Sequence, residues 1–289
     1  MITSFHEIEK FFKEDLSYFR LQGRLGNQLL GLSDAHLVYK LTGRRVVVDV
    51  YEISKATHKL ELLDLFEDFD WAIPLNSPIK NMFEINKSIK NLADTKLSHE
   101  LRDFKYFFGF KPSLTYIEES GLFLKGQPST LKLCRHDKSE YDVAICIRRG
   151  DYVSNPHLGL LSSKYYKDAL KLLKLDDKVV HVEIFTDDVD GTQDFAKRNF
   201  DFNFQINMTS SPLKALAEMS SHSRIVVANS TFSFWGSYFS NAESVFPSPF
   251  YLSQPKWHSE LISTGDRIIE WTSFPKVRYL LNLLKYKLI

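Results

Sequence analysis

Two adjacent arginines, Arg148 and Arg149, and the carboxylate of Asp151 directly follow a mostly apolar run over residues 141–147. Guanidinium groups stay charged and present a rigid fork of donors that fits a phosphate bidentately, so the pair predicts a phosphorylated ligand. The plain structural alternative is a surface ion pair of Arg149 with Asp151. Three more segments share this layout. In Gly23-Arg24-Leu25-Gly26-Asn27-Gln28 the glycines permit close backbone approach, and the helix that follows offers N–H groups to an anion. This is neither the three-glycine dinucleotide fingerprint nor a P-loop, and an ordinary strand-to-helix turn is its alternative. Asp187 and Asp188 end the run Ile184-Phe185-Thr186, where they could bind ribose hydroxyls, hold a divalent metal or cap the next helix. No third metal ligand stands near them in sequence and the arginines already supply positive charge, so no metal site is expected. In the turn Ala228-Asn229-Ser230-Thr231-Phe232-Ser233, three hydroxyls, those of Ser230, Thr231 and Ser233, suit an N-cap and phosphate hydrogen bonds at a helix N-terminus. The sequon Asn229-Ser230-Thr231 is read as incidental.

The elements that must position these groups alternate. Residues 143–147 are apolar on both faces, as in a central strand of a parallel sheet, and ligands of such sheets bind beyond the carboxyl ends of the strands. A strand at 17–21, a helix at 28–41 closed by Gly43 and a strand at 45–50 form one β-loop-α-β unit. Residues 51–139 are less regular, broken by Pro74, Pro78, Pro112 and Pro128, with His58, His99 and Lys105 read as surface residues or sugar contacts. From residue 141 a second alternation begins: strand 141–147, a loop through Pro156, helix 163–173, strand 179–186, helix 191–199, strand 202–206, helix 212–221, strand 225–228 and helix 233–239. That pattern predicts a parallel sheet with helices on both faces. Residues 5–14 read as a lead-in helix. Residues 277–289 read as an amphipathic helix that packs across the domains, with peripheral contact at an anionic membrane surface as its alternative. The expected organisation is α/β, with two Rossmann-like domains facing across a cleft: residues 1–139, residues 140–255 and a helical tail over 256–289.

Bulk properties narrow the partners. With 289 residues and 44% apolar side chains the chain can bury a large core. Its 37 basic and 36 acidic residues create no net field for nucleic acid, so no nucleic-acid partner is expected. The two cysteines, Cys134 and Cys146, argue for a reducing compartment. No apolar run approaches the roughly 20 residues that span a bilayer, and the start carries no basic and apolar leader, so a cytoplasmic protein is expected. The aromatic share of 14% fills a core or lines a sugar cleft.

Taken in order, the four segments resemble the α-1,2-fucosyltransferase family, glycosyltransferase family 11. Residues 23–28 are similar to its Gly-Gly-Leu-Gly-Asn-Gln start, and residues 146–152 to its His-x-Arg-Arg-Gly-Asp-Tyr motif. Residues 185–188 are similar to its Phe-Ser-Asp-Asp, residues 229–236 to its Asn-Ser-Ser-Phe-Ser-Trp-Trp-Gly, and Tyr165-Tyr166 also fits. The resemblance implies a two-domain glycosyltransferase of the GT-B type, its amino-terminal half mainly handling the acceptor and its carboxy-terminal half GDP-fucose. The implied reaction is a metal-independent, cofactor-free, inverting transfer from GDP-β-L-fucose to a galactose-terminated glycan or lipid-linked oligosaccharide, in cell-surface polysaccharide synthesis.

In that reading Arg148 stabilises the charge growing on the leaving β-phosphate, helped by donors around Ser230, Thr231 and Ser233. Asp187 and Asp188 lie near the nucleotide or fucose hydroxyls, Gly26 and Asn27 close the site from the other domain, and Asp151 is the motif's candidate general base or, alternatively, an arginine's partner. Two residues depart from the family pattern. Cys146 replaces the motif histidine at a donor-binding position, and Ala215 stands near a common aspartate. Glu218, three residues on along the same helical face, is expected to take over the contact with the guanine edge. A different nucleotide sugar or linkage, or a catalytically silent binding protein, are the alternatives.

Overall fold

Valine-rich and aromatic runs set the sheets. The structure, a computed structural model, describes residues 15–54, 66, 68–76, 90–91, 101, 104, 106–124, 130, 133, 139–155, 158–175, 181–250, 260–262 and 266–271. The chain divides into two compact units, Met1–Lys132 and Leu133–Ile289. Both are Rossmann-like, with parallel strands throughout the described residues, as a GT-B chain requires.

In the first unit, β1 (Ser17–Arg20), β2 (Val46–Asp49), β3 (Ala72–Leu75), β4 (Lys90–Asn91) and β5 (Tyr106–Phe108) pair in the order β3-β2-β1-β5-β4. Helix α1 (Leu25–Thr42) crosses between β1 and β2, and α2 (Tyr51–Ser54) and α3 (Leu114–Ser120) complete the described helices. Helix α1 starts three residues before the expected Gln28, because Gly23 turns the chain at φ 76° and Arg24 then serves as N-cap. It ends as expected: Gly43 takes the left-handed conformation and donates its N–H to the Tyr39 carbonyl. Pro74, read as a breaker, sits inside β3, at the edge of the described sheet, where a missing N–H is tolerated.

Asp34 is fully buried in α1 and accepts the Lys111 backbone N–H at 2.6 Å, tying the segment after β5 to the helix. Burial raises its pKa well above the carboxylate range. The folded chain therefore holds a proton that the unfolded chain releases, so stability falls as pH rises above the ordinary Asp range. Asp34→Asn removes that titration while keeping an acceptor for Lys111. Its melting temperature is expected to decline less than wild type between about pH 4 and pH 8; parallel curves would refute the assignment.

In the second unit the strands are β6 (Val143–Ile147), β7 (Val182–Thr186), β8 (Phe204–Ile206), β9 (Arg224–Val226), β10 (Glu243–Ser248) and β11 (Arg267–Glu270). Their order is β11-β10-β9-β6-β7-β8, the doubly wound arrangement whose first strand is central. The helices are α4 (Gly150–Ser154), α5 (Ser163–Leu172), α6 (Val189–Asn199), α7 (Pro212–Ser220) and α8 (Thr231–Phe239). Tyr165 and Tyr166 are buried, and the Tyr165 hydroxyl donates to the Val227 carbonyl at 2.6 Å, fastening α5 to the sheet.

Strand β11 corrects the expectation of a helical tail over 256–289. Residues 267–270 pair in register with β10, and the short Arg-Ile-Ile-Glu run gives too little periodicity to announce an edge strand. The helices expected at 5–14 and 277–289, together with Cys134, His58, His99 and Lys105, lie outside the described residues. Among those described, no helix is long and apolar enough to cross a membrane.

Candidate active site

The chain leaves central strand β6 for β7 and β8 on one side and returns to β9, β10 and β11 on the other. The carboxyl ends of β6 and β9 thus flank the switch point where open α/β sheets bind ligands. Arg148 emerges from the end of β6. Its Nη2 donates to Asp151 Oδ1 at 2.7 Å, and its Nη1 pairs with Asp187 Oδ2 at 2.9 Å. The other Asp187 oxygen accepts the Arg149 backbone N–H at 3.0 Å, so one carboxylate from the end of β7 binds both residues of the arginine pair. Arg148 stacks over the Tyr152 ring, 5.2 Å from its centroid, and the Tyr152 hydroxyl donates to the Asn229 carbonyl at 2.7 Å. That bond ties α4 to the turn after β9. Arg148 Nε is buried and has no hydrogen-bond partner among the described residues. An unpaired buried donor on a charged group is costly unless a ligand completes it.

Chain geometry explains the arrangement. Residue 147 ends the strand and α4 begins at Gly150, where a loop was expected, which puts Asp151 and Tyr152 one helical turn beyond Arg148. Gly150 leaves room for the Asp187 carboxylate: a Cβ there would lie 2.1 Å from Asp187 Oδ2 and force it to shift. The surface pair once open to Arg149 and Asp151 is made by Arg148 instead. Arg149 lies over Phe195 at 5.0 Å, with Nε 4.0 Å from Asp188. Asp188 caps α6, accepting the Gly191 N–H at 3.0 Å. Of its alternatives, capping is the one visible here.

Beyond β9, Ser230 caps α8 by accepting the Ser233 N–H at 3.3 Å. Ser233 Oγ turns back to the carbonyls of Ala228 and Ser230 at 2.8 and 2.9 Å and is buried. These two hydroxyls shape the turn, which corrects the expectation that Ser233 faces a ligand. Thr231 opens α8 at the same end of the sheet and is buried. Asn229 donates to the carbonyls of Leu158 and Gly159 at 2.8 and 2.7 Å, holding the loop beside the site, and its Oδ1 has no partner among the described residues. No group of three or more His, Cys, Asp or Glu among the described residues is placed to hold a metal ion.

Residues 4–273 match the profile of the family described as Glycosyl transferase family 11. The chain belongs to glycosyl transferase family 11. It is similar to an Escherichia coli alpha-1,2-colitosyltransferase, 28% identical over 118 residues that cover 38% of this chain and 41% of the relative. A second relative, the Escherichia coli O-antigen biosynthesis glycosyltransferase WbnK, is 28% identical over 142 residues, 44% of this chain and 45% of the relative. The chain thus spans less than half the length of either. Among solved structures, a variant of Arabidopsis thaliana FUT1 in complex with GDP is similar at TM-score 0.43 and 13% identity, over 84% of this chain and 74% of that one. The Escherichia coli heptosyltransferase WaaC is similar at TM-score 0.46 and 7% identity, over 94% and 99%.

In this family 11 chain two expected donor contacts lie elsewhere. Cys146 is buried, its Sγ 3.4 Å from Met219 Sδ, and burial pushes its thiol up to about 12. It is a neutral packing residue between β6 and α7, not a ligand contact. Glu218 accepts from Asn207 Nδ2 at 2.8 Å and from Thr209 Oγ1 at 2.7 Å. The same Asn207 amide donates to Glu183 at 2.8 Å, four residues before Asp187 on β7. That spacing puts Glu183 about 13 Å from the strand end that carries Arg148's partner. Glu218→Ala is accordingly expected to lower the melting temperature by several degrees, through the unpaired Asn207 and Thr209. Whatever discrimination the wild type makes among nucleotides should not move; its loss would restore the nucleotide contact.

Gly26 and Asn27 lie in the first turn of α1, where Gln28 Nε2 bonds the Gly23 carbonyl at 2.8 Å and fixes the glycine turn. Tyr152, Gly150 and Asn229 were not singled out from the sequence. The signal was present for Tyr152, whose position four residues after Arg148 suits a stacked pair once a helix is recognised there.

Proposed function

We propose that this chain transfers L-fucose from GDP-β-L-fucose to a galactose-terminated glycan or lipid-linked oligosaccharide, forming an α-1,2 linkage with inversion. The observation that carries the reading is Arg148 at the switch point, fixed by two carboxylates and still holding an unpaired, buried Nε. A guanidinium has five N–H donors, and the carboxylates engage only one on each Nη. The acceptor 2-hydroxyl oxygen forms a bond to the anomeric carbon as the bond to the β-phosphate oxygen breaks, and the hydroxyl proton leaves to water. GDP departs with the electron pair, and Arg148 with the first turn of α8 stabilises the charge that appears on it. No metal ion or cofactor enters this reading, because those groups supply the positive charge. The direct ion pair favours positioning of Arg148 as the role of Asp151 over general-base work. Asp188 and Thr231 remain as donor contacts beside Asp187. This reading puts the reaction on the cytoplasmic side.

A second reading, transfer of colitose, is favoured by the similarity to the alpha-1,2-colitosyltransferase. Thermal shifts with GDP-fucose and with a colitose nucleotide, compared at equal concentration, separate them. GDP-fucose is expected to raise the melting temperature, since a ligand at a hundred times its Kd stabilises by about 2.7 kcal/mol. GDP-fucose turnover undiminished by a chelator, with an α-linked product by NMR, completes the test. A shift only with UDP- or dTDP-sugars would overturn the donor assignment.

A further inference from the structure

The first unit repeats the device that holds Arg148. Arg20 is the last residue of β1 and Asp49 the last of β2, and they are direct register partners. In the second unit, Arg148 and Asp187 each follow by one residue the register pair Ile147 and Thr186. In both units an arginine at the end of the central strand thus meets an aspartate at the end of its neighbour.

Polar groups and an aromatic ring surround Arg20 and Asp49. Arg20 Nε lies 3.9 Å from Asp49 Oδ2 and 3.4 Å from the Tyr18 hydroxyl, and the Tyr18 hydroxyl itself donates to Asp49. Burial, aided by Asp49, raises the Tyr18 pKa, so that hydroxyl keeps its proton and remains a donor. The Tyr51 N–H adds a bond to Asp49 Oδ1 at 2.9 Å. On the other side of Arg20 its register partner is half-buried Phe108, at the end of β5. Strands β1 and β5 flank the switch point of this sheet. An ion pair of zero net charge offers paired donors and acceptors without attracting an anion, and an adjacent aromatic suits the C–H face of a pyranose.

We propose that the Arg20–Asp49 pair, with Phe108, is the acceptor-sugar subsite and takes adjacent hydroxyls of the terminal galactose; this rests on the proposed transfer to a galactose-terminated acceptor. The test compares wild type with Arg20→Gln, and with the nearly isosteric Asp49→Asn in case the first variant fails to fold. Saturation-transfer NMR with methyl β-galactoside reads binding directly, and initial rates with GDP-fucose read KM for the same galactoside. Each folded variant is expected to lose the NMR signal and to raise the acceptor KM about tenfold or more, whereas kcat falls much less. A wild-type KM and signal in both variants overturn the subsite. If the wild type neither transfers nor hydrolyses GDP-fucose, the function reading fails instead. A binding signal lost in the variants even then keeps the sugar subsite without the transfer.

Discussion

Arg148→Lys is expected to lower the rate of sugar transfer by about 10²- to 10³-fold, the usual cost of removing one donor from a developing negative charge. Lysine keeps the charge but not the planar fork that meets Asp151 and Asp187 simultaneously while leaving Nε for a ligand. The loss belongs in kcat and kcat/KM together, because the stabilised charge exists fully only when the leaving group departs. Arg148→Ala should cost at least as much and also leave two carboxylates facing each other without a cation. Transfer rates at saturating donor, measured on proteins with matched melting temperatures, check this. A lysine variant within about threefold of wild type would remove Arg148 from the leaving-group role.

The second large effect comes from a methyl group. Gly150→Ala places a Cβ where Asp187 Oδ2 now lies, 2.1 Å away, so the carboxylate must leave its place between Arg148 Nη1 and the Arg149 N–H. A displacement of about 1 Å in a catalytic array can cost roughly a hundredfold in rate. The same reasoning makes the effect conditional. In an Asp187→Ala background the added Cβ meets no carboxylate, and Gly150→Ala should then cost little. A double-mutant cycle on kcat therefore shows strong non-additivity, whereas additive losses would mean that Gly150 serves the α4 backbone instead.

How much of this was legible in the chain differs residue by residue. Strand β6 was read to its end because a parallel strand buried on both faces appears as an unbroken apolar run, and β7 nearly so from Val182 and the Ile184-Phe185 pair. The helix 212–221 and its Pro start were legible for the same local reason, through propensity and capping. Strand β3 was missed because Pro74 looks like a breaker unless the strand is known to be an edge. Short α4 was missed because five residues show no period. The directions of Cys146, Glu218 and Ser233 were illegible for another reason. Each was judged by its nearness to a motif, yet Cys146 is claimed by Met219 of α7, Glu218 by the segment after β8, and Ser233 by its own turn.

The sequence by itself determined which groups could work: a permanently charged arginine pair, carboxylates next to it and at the end of the following strand, and a hydroxyl-rich helix start, in an order shared with glycosyl transferase family 11. Those are properties of residue type and local periodicity, which need no neighbours. Only the tertiary structure decided which arginine meets which carboxylate, that a side chain at 150 would displace Asp187, and that Arg20 and Asp49 repeat the arrangement in the first unit. Register between strands distant in sequence sets those meetings, and register depends on how whole faces pack, a quantity no single segment contains.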